Sequence, residues 1–140
     1  MINIHATLIS YKNNGILFMG KSASGKSDLA LRMILEKNAF LVADDRVIIR
    51  AVDNQLYGHA PQELFGKMEI RHLGIAQLDA KKEEKISLCV ELCNNRQELE
   101  RMPVNETINF LGVSIDKIKL YPFDCSTICK IIAKICGIIS

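Results

Sequence analysis

The chain has 140 residues, 49% of them hydrophobic, and a formal net charge of +2 at neutral pH. This size and apolar content predict a single globular domain over residues 1–140, with a core of its own. The nearly balanced charge argues against nucleic acid as a partner, and the most apolar stretch, residues 125–139, is too short and too interrupted by lysines to span a membrane.

The first predicted elements are two strands joined by a turn. Apolar and polar residues alternate over residues 2–8, which is the pattern of a half-buried strand. Residues 11–15 are typical of a turn, and residues 15–19 form an apolar run that predicts a buried strand. We expect the two strands to pair as a hairpin.

A phosphate-binding loop follows the second strand. It matches the pattern G-x-x-x-x-G-K-S with Gly20, Lys21, Ser22, Ala23, Ser24, Gly25, Lys26 and Ser27. The glycines allow successive backbone N–H groups to point at phosphate oxygens, and the helix predicted over residues 27–37 adds its positive N-terminal end. Lys26 can reach the outer phosphates and Ser27 can offer its hydroxyl to Mg²⁺. The motif therefore predicts a nucleotide phosphate site.

Two aspartates end the next predicted strand. Residues 40–43 are apolar and are followed by Asp44 and Asp45. Binding sites of open α/β sheets lie at the carboxyl ends of the strands, so this order brings both carboxylates to the phosphates. Because neighbouring strand residues point to opposite faces, one carboxylate can hold Mg²⁺ while the other accepts a proton from an attacking hydroxyl. The residues alone leave open which aspartate has which role.

The remaining elements are predicted more coarsely. We expect strands over residues 46–52, 68–76 and 86–92 and two more within 105–120, a loop with a short helical piece over 58–67, a charged turn over 80–85, a short helix over 96–101 and an amphipathic C-terminal helix packed on the core. The five cysteines are expected to be small buried hydrophobes of a protein in the reducing cytoplasm, since the sequence shows no leader and no C-x-x-C pair: Cys89, Cys93, Cys125, Cys129 and Cys136.

Three further residues have no clear role by themselves. His5 lies opposite the apolar face of the first predicted strand, which is typical of a surface or a satisfied core histidine. Glu69 fits a second magnesium ligand and an ordinary strand residue equally well. Arg101, between a short helix and Pro103, has the pattern of an ordinary surface residue.

These segments together resemble the catalytic domain of HPr kinase/phosphorylase, in the short proteobacterial form that lacks the family's N-terminal domain. The resemblance covers about residues 4–125 and rests on the P-loop and on residues 41–47, 60–61, 68–75 and 98–103. The signature around Glu69 is its most specific part, because ordinary P-loop proteins lack it. The position of His5, fifteen residues before Gly20, matches the family's active-site histidine.

The resemblance implies a fold and an activity. The fold is an α/β P-loop domain related to phosphoenolpyruvate carboxykinase, with a mixed sheet and a C-terminal helix. The activity is phosphorylation of a serine of the phosphocarrier HPr, with ATP as donor and Mg²⁺ as cofactor. Lys26 would hold the phosphates, Ser27 and Glu69 would bind Mg²⁺, and Asp45 would be the base with Asp44 as metal partner. His5 would lie in the phosphate pocket, and Arg101 would be a catalytic group.

The chain also departs from the family pattern. His72 stands where the family usually has a glycine, and one extra residue lies between Lys26 and Asp44. Residues 121–125 lack the basic, glycine-containing loop that long forms use to remove the phosphoryl group with inorganic phosphate, and the family's longer C-terminal helices have no counterpart. We therefore expect a weak reverse reaction and a homo-oligomer for which the family's hexamer is not favoured.

Two other functions are consistent with a P-loop. A small-molecule kinase of the nucleoside or shikimate type usually has an arginine-rich lid, whereas the arginines after Ser27 are dispersed. A nucleotide-sensing regulatory module could dispense with Asp45 and Glu69, and both are present. A GTPase is disfavoured because the sequence has no N-K-x-D motif.

Overall fold

The computed structural model describes residues 1–138, which form the mixed α/β fold that the resemblance implies. The strands are β1 (Ile2–Ile4), β2 (Thr7–Tyr11), β3 (Asn14–Met19), β4 (Phe40–Ala43), β5 (Val47–Val52), β6 (Gln55–His59), β7 (Lys67–Ile70), β8 (Gly74–Gln77), β9 (Glu84–Leu92), β10 (Glu106–Phe110) and β11 (Val113–Leu120). The helices are α1 (Lys26–Lys37) and α2 (Thr127–Ile135), with short 3-10 helices at Gln62–Leu64 and Arg96–Glu98.

Nine of the strands form one curled sheet, and β7 and β8 form a separate hairpin. The main path runs β1-β5-β6-β9-β3-β2-β4, and β9 also pairs with β11, which in turn pairs with β10. The parallel pairs are β3 with β9 and β9 with β11, while the other pairs are antiparallel. Since β4 is antiparallel to β2, as β3 is, the carboxyl ends of β3 and β4 lie at the same edge of the sheet.

The core has two parts on the two faces of the sheet. On one face, Leu29 and Met33 of α1 and Ile131 of α2 pack with β-strand side chains such as Phe18. On the other face lies a second buried cluster, which includes Leu17 of β3 and Ile49 of β5. Both faces of the central strands are therefore covered, which explains why β3 is a continuous apolar run.

The prediction of one continuous strand over residues 2–8 is wrong. The structure has two strands, β1 and β2, separated at residues 5–6. Both pair with one stretch of chain, with Ile4 opposite Val47 and Leu8 opposite Ala43 in the same register, which shifts by one residue between Leu8 and Ile9. Between these pairs the ladder opens, because the facing segment, residues 44–46, turns away from it.

Other elements differ from the sequence prediction in extent. The predicted hairpin turn is confirmed, with Lys12 and Asn13 both at positive φ (48° and 63°) between paired β2 and β3. Residues 55–59, for which no strand was predicted, form β6, which pairs with β5 across a second turn of the same kind. The single strand predicted over residues 68–76 is wrong, because this segment is the β7–β8 hairpin.

The expectation that all five cysteines are buried is wrong for three of them. Cys89 and Cys93 are buried, and burial raises the pKa of the Cys89 thiol to about 12. Cys125, Cys129 and Cys136 are exposed: Cys129 lies on α2, which turns a different face with Ile128 and Ile131 toward the core, and the other two flank that helix. The predicted C-terminal helix is confirmed over Thr127–Ile135, and residue 139 lies outside the described residues. Among the described residues, no helix has the length and apolar character needed to cross a membrane.

Candidate active site

A cavity of about 920 Å³ opens where β3 and β4 end. Its walls come from the P-loop and the start of α1, from the segment that precedes β2, from the end of β4 and from the β7–β8 hairpin. The lining residues that carry polar side chains are His5, Thr7, Ser22, Ser24, Lys26, Ser27, Asp28, Asp44, Asp45, Lys67, Glu69, Arg71 and His72. The structure thus brings most of the sequence-predicted site residues to one place.

The P-loop has the conformation that its glycines allow. Gly25 has φ 96° and immediately precedes α1, so the first N–H groups of the helix face the cavity without competition from a capping side chain. Gly20 lies so close to Ser24 that a Cβ atom on it would come within 2.6 Å of the Ser24 hydroxyl oxygen. This compact loop is suited to an anion, since its N–H groups and the helix N-terminus carry partial positive charge.

Lys26 is held against the loop from which it projects. Its ammonium Nζ donates hydrogen bonds to the carbonyl oxygens of Gly20 and Lys21, at 3.0 and 2.9 Å. Burial lowers the pKa of Lys26, and the nearby charges of Asp44 and Asp45 oppose this shift. The side chain is therefore a partly desolvated cation, positioned where phosphate oxygens would replace the loop carbonyls as its partners.

The buried carboxylate of Asp44 connects two walls of the cavity. Its Oδ1 atom accepts hydrogen bonds from the Ser27 hydroxyl at 2.7 Å and from the Thr7 hydroxyl at 2.9 Å. No hydrogen bond to its Oδ2 atom is seen among the described residues. The pairing of the Ser27 hydroxyl with this carboxylate joins the predicted magnesium ligand on the P-loop to the carboxylate that follows β4.

Asp45 occupies a rare backbone conformation. Its φ is 71°, and the Arg46 N–H donates to the Asp44 carbonyl oxygen at 2.8 Å, which makes Asp45 the central residue of a strained γ-turn. The turn projects the Asp45 side chain out of the sheet, where it is 68% exposed. Its Oδ1 atom lies 3.4 Å from Nε2 of His5. Strained residues of this kind cluster at functional sites, and this one carries a carboxylate into an open cavity.

The β7–β8 hairpin forms the opposite wall of the cavity. It contributes Glu69 from β7 and Arg71 and His72 from the turn. His72 has φ 72°, a conformation that glycine adopts freely and other residues adopt at a cost. His72 stands where the family usually has a glycine, so this chain has a bulkier residue on a backbone suited to glycine.

The oxygen atoms of the site fit Mg²⁺. In proteins this ion usually takes one or two carboxylates and completes its shell with water and substrate phosphates. Asp44 and Ser27 present such oxygens side by side, and Glu69 lines the same cavity. Among residues 1–138, no cluster of three or more His, Cys, Asp or Glu side chains could hold a metal by itself.

Sequence reasoning and structure differ at several positions, and Gly20 and Lys21 of the P-loop are not among the residues that line the cavity. Arg101 is exposed on the loop after the second 3-10 helix and is not among the residues that line the cavity, so its catalytic role stays a prediction. Thr7 was missed, although the alternation of apolar and polar residues over 2–8 puts it in the same polar set as His5. Phe123 was also missed, because only the tertiary structure places the segment before α2 beside the P-loop.

The family model and the curated relatives that this chain matches all name the same family. The family model described as HPr Serine kinase C-terminal domain matches residues 1–136. The chain is 32% identical to the HPr kinase/phosphorylase of Clostridium beijerinckii over 125 residues, covering 82% of this chain and 41% of the relative. It is 34% identical to that of Caldicellulosiruptor bescii (81% of this chain, 40% of the relative) and 31% identical to that of Bordetella avium (84% and 41%). The chain thus spans about two fifths of the length of these relatives.

A solved structure agrees in fold over almost the whole chain. The Hpr(Ser) kinase/phosphatase from Coxiella burnetii superposes with a TM-score of 0.85 and covers 99% of this chain and 97% of that one, at 22% sequence identity. At this identity the likeness supports the fold. It confirms the mixed-sheet α/β architecture that the sequence predicts.

Proposed function

The chain belongs to the HPr serine kinase C-terminal domain family, and we propose that it is an ATP- and Mg²⁺-dependent kinase that phosphorylates a serine of an HPr-type phosphocarrier protein. The observation that carries this proposal is the bridge at Asp44, whose Oδ1 atom accepts hydrogen bonds from Ser27 and Thr7 inside the P-loop cavity. This bridge joins a nucleotide phosphate site to a carboxylate site suited to Mg²⁺.

The P-loop binds and orients the triphosphate in this proposal. Its backbone N–H groups and the N-terminus of α1 face the phosphate oxygens, and Lys26 exchanges its bonds to loop carbonyls for bonds to those oxygens. Because Lys26 is already desolvated, little reorganisation is needed when negative charge develops on the transferred group. When bound, Mg²⁺ neutralises charge on the phosphates, and Asp44, Ser27 and Glu69 are the residues that would hold it.

Asp45 is proposed to accept the proton of the attacking serine. The serine oxygen forms a bond to the γ-phosphorus, the bond from that phosphorus to the bridging oxygen of ADP breaks, and the hydroxyl proton passes to the Asp45 carboxylate. The strained turn holds this carboxylate in the cavity, and His5 at 3.4 Å can stabilise its charge. Arg101 would act on the transferred group only after the loop that carries it moves toward the cavity.

Further features of the proposal follow from the family. The acceptor is a protein, so we propose that the open cavity between the P-loop and the β7–β8 hairpin admits a serine-bearing loop of HPr. We also propose a cytoplasmic location and self-association as a homo-oligomer, without assigning the hexamer. Such an enzyme would couple the phosphotransferase system to the regulation of carbon metabolism.

The test is transfer of label from ATP to HPr. The protein is incubated with γ-labelled ATP, Mg²⁺ and HPr from the same organism, and label on HPr is followed by gel and by phosphopeptide mass spectrometry. The Asp45→Asn variant and a reaction with EDTA serve as controls. Label on a serine of HPr supports the proposal, and label on a nucleoside or shikimate supplied in a parallel reaction, without label on HPr, would favour the small-molecule kinase instead. ATP binding without transfer to either acceptor would favour the nucleotide-sensing module.

A further inference from the structure

A short segment between β11 and α2 lies against the P-loop; we name residues 121–124 the strap. The carbonyl oxygen of Pro122 accepts a hydrogen bond of 2.6 Å from Nη2 of Arg32 on α1. Asp124 forms an ion pair with Arg96, and the Arg96 guanidinium lies over the ring of Tyr121 at 5.3 Å. Thr127, at the start of α2, donates from its hydroxyl to the carbonyl oxygen of Tyr121 at 2.6 Å. The strap is therefore held in place from three other elements.

The side chain that the strap presents to the cavity is Phe123. A Cβ atom built on Gly25 would lie 3.2 Å from Cζ of Phe123, so the ring fills the space in which a side chain at position 25 would lie, next to the P-loop backbone. Tyr121 packs edge-to-face against it, with ring centroids 5.5 Å apart. Phe123 is nevertheless 59% exposed. Within residues 1–138, it is the only Phe, Tyr or Trp that lines the cavity.

This arrangement gives a fixed, exposed aromatic face beside a phosphate site. The contacts of Arg32, Arg96 and Thr127 with the strap, which we call the clamp, fix the position of Phe123 although its own side chain is not buried in the core. Covering such an aromatic face with the apolar surface of a ligand removes it from water and is therefore favourable. A nucleotide whose phosphates lie on the P-loop carries a flat base at its other end, and any base has a π-face on which such a ring can stack.

We propose that Phe123 is the base-stacking residue of the nucleotide site, a role that rests on the proposed nucleotide-dependent function. Stacking on one ring tolerates either purine, so it should strengthen ATP and GTP alike without reading their edges. Selection between them then needs other contacts. The role of the strap is to hold the ring while the P-loop holds the phosphates.

The first experiment compares a nucleotide with its base-free counterpart. Isothermal titration calorimetry measures binding of ATP and of inorganic tripolyphosphate, each with Mg²⁺, to the wild type and to Phe123→Ala. We expect Phe123→Ala to weaken ATP binding about five-fold or more and to leave tripolyphosphate binding unchanged. Phe40→Ala is the matched control, because Phe40 is similarly exposed (47%) but lies at the start of β4, outside the cavity lining, and should change neither affinity.

The second experiment uses a direct signal of stacking. The chain has no tryptophan, so Phe123→Trp introduces a single indole fluorophore at the proposed site. ATP and GTP should both quench its fluorescence, and tripolyphosphate should not. This variant keeps an aromatic face and should bind ATP about as tightly as the wild type.

The outcomes separate this proposal from the proposed function. If the wild type binds ATP and Phe123→Ala binds it equally well, the stacking role is wrong and the kinase function stands. If Phe123→Ala loses ATP and tripolyphosphate equally, the ring supports the P-loop rather than the base, and the stacking role is again wrong. A folded wild type that binds neither ligand contradicts the nucleotide-dependent function itself, and the stacking role with it.

Discussion

Thr7 and Asp44 are joined by a hydrogen bond of 2.9 Å from the threonine hydroxyl to Oδ1 of the aspartate, at the point where the β1–β5 and β2–β4 pairings separate. Leu8 and Ala43 are paired across β2 and β4. Thr7 immediately precedes Leu8 and Asp44 immediately follows Ala43, so these two site residues lie side by side at the end of that ladder. Both are almost fully buried. Together with the Ser27 hydroxyl, the Thr7 hydroxyl fixes the orientation of the Asp44 carboxylate, which lines the cavity.

Replacement of Thr7 should therefore disturb the use of Mg²⁺. Thr7→Val keeps the shape of the side chain and removes the donor, so we expect a loss of unfolding free energy of about 1–2 kcal/mol. We also expect a higher Mg²⁺ concentration at half-maximal phosphoryl transfer. Urea denaturation and a Mg²⁺ titration of the initial rate measure the two effects.

The same strand offers a matched control for Thr7. Ser10 is also buried and donates to a carboxylate, Glu84, at 2.6 Å, but it is not among the residues that line the cavity. Ser10→Ala should lower stability by a similar amount without changing the Mg²⁺ titration. An equal shift of the Mg²⁺ requirement in both variants would show that the Thr7 effect is only one of stability.

The two aspartates should be separable by substitution with asparagine. Asparagine tolerates the positive φ of residue 45, so Asp45→Asn removes the charge without disturbing the turn. We expect this variant to lose roughly 10²–10⁴ in transfer rate while its affinity for Mg²⁺–ATP changes little. Asp44→Asn should lower the transfer rate and should also weaken the dependence of nucleotide binding on Mg²⁺. Calorimetry that shows the reverse pattern would exchange the two roles.

Lys26→Met should lower the transfer rate by roughly 10²–10³, the size seen when one preorganised donor to a developing charge is removed. The exposed Lys37, in the last turn of α1, provides the control, and Lys37→Met should keep nearly full activity. Thermal melts check that both variants are folded. A Lys26→Met protein with wild-type turnover would remove the P-loop lysine from the mechanism.

The lowered pKa of Lys26 predicts how rate and stability change with pH. The charged form is the one that binds phosphate, so the transfer rate should fall in alkaline solution at a pH below the ordinary 10.5 of lysine. The sign for stability is opposite. The pKa of Lys26 is lower in the folded protein than in the unfolded chain. Its favourable contribution to the free energy of unfolding is therefore fully present above pH 10.5 and is lost as the pH falls through the folded pKa. Lys26→Met should abolish the stability effect, which pH-dependent urea titrations can measure.

His72→Gly should stabilise the protein. The left-handed backbone at φ 72° destabilises a residue with a Cβ atom by about 1–2 kcal/mol, and glycine removes this strain. Because glycine also has more conformational freedom in the unfolded chain, part of this stabilisation is offset. The expected net increase in unfolding free energy is up to about 1 kcal/mol by urea denaturation. His72→Ala keeps the Cβ atom and should show no such increase. A gain in both variants would mean that the imidazole, rather than the backbone, is the source of the cost.

The reverse reaction is expected to be weak. Removal of a phosphoryl group by inorganic phosphate needs a second anion site beside the phosphoserine, built from cations or backbone N–H groups. Residues 121–125 carry no cation, and their one charged group, Asp124, is paired with Arg96. The measurement supplies phosphorylated HPr, phosphate and Mg²⁺ without ATP. Release of pyrophosphate at a rate comparable to the forward transfer would contradict this expectation.

Local patterns in the sequence were sufficient for the parts of the site that lie on one continuous segment. The P-loop, the start of α1 and the position of the Asp44–Asp45 pair after a buried strand all depend on residues close together in the chain. Glycines, the apolar run before them and the helix formers after them act over a few residues. The hairpin turns at Lys12–Asn13 and Asp53–Asn54 are local in the same way, since both need residues that tolerate positive φ.

Tertiary structure alone decided which distant residues meet the P-loop. The break between β1 and β2 exists because both pair with one stretch of chain that turns away at Asp45, and no pattern within residues 2–8 contains that information. The same long-range pairing sets Thr7 against Asp44, and the clamp from Arg32 and Arg96 places Phe123 at the P-loop. These contacts depend on sheet register and on packing between segments far apart in sequence, whereas residue patterns report the preferences of short segments.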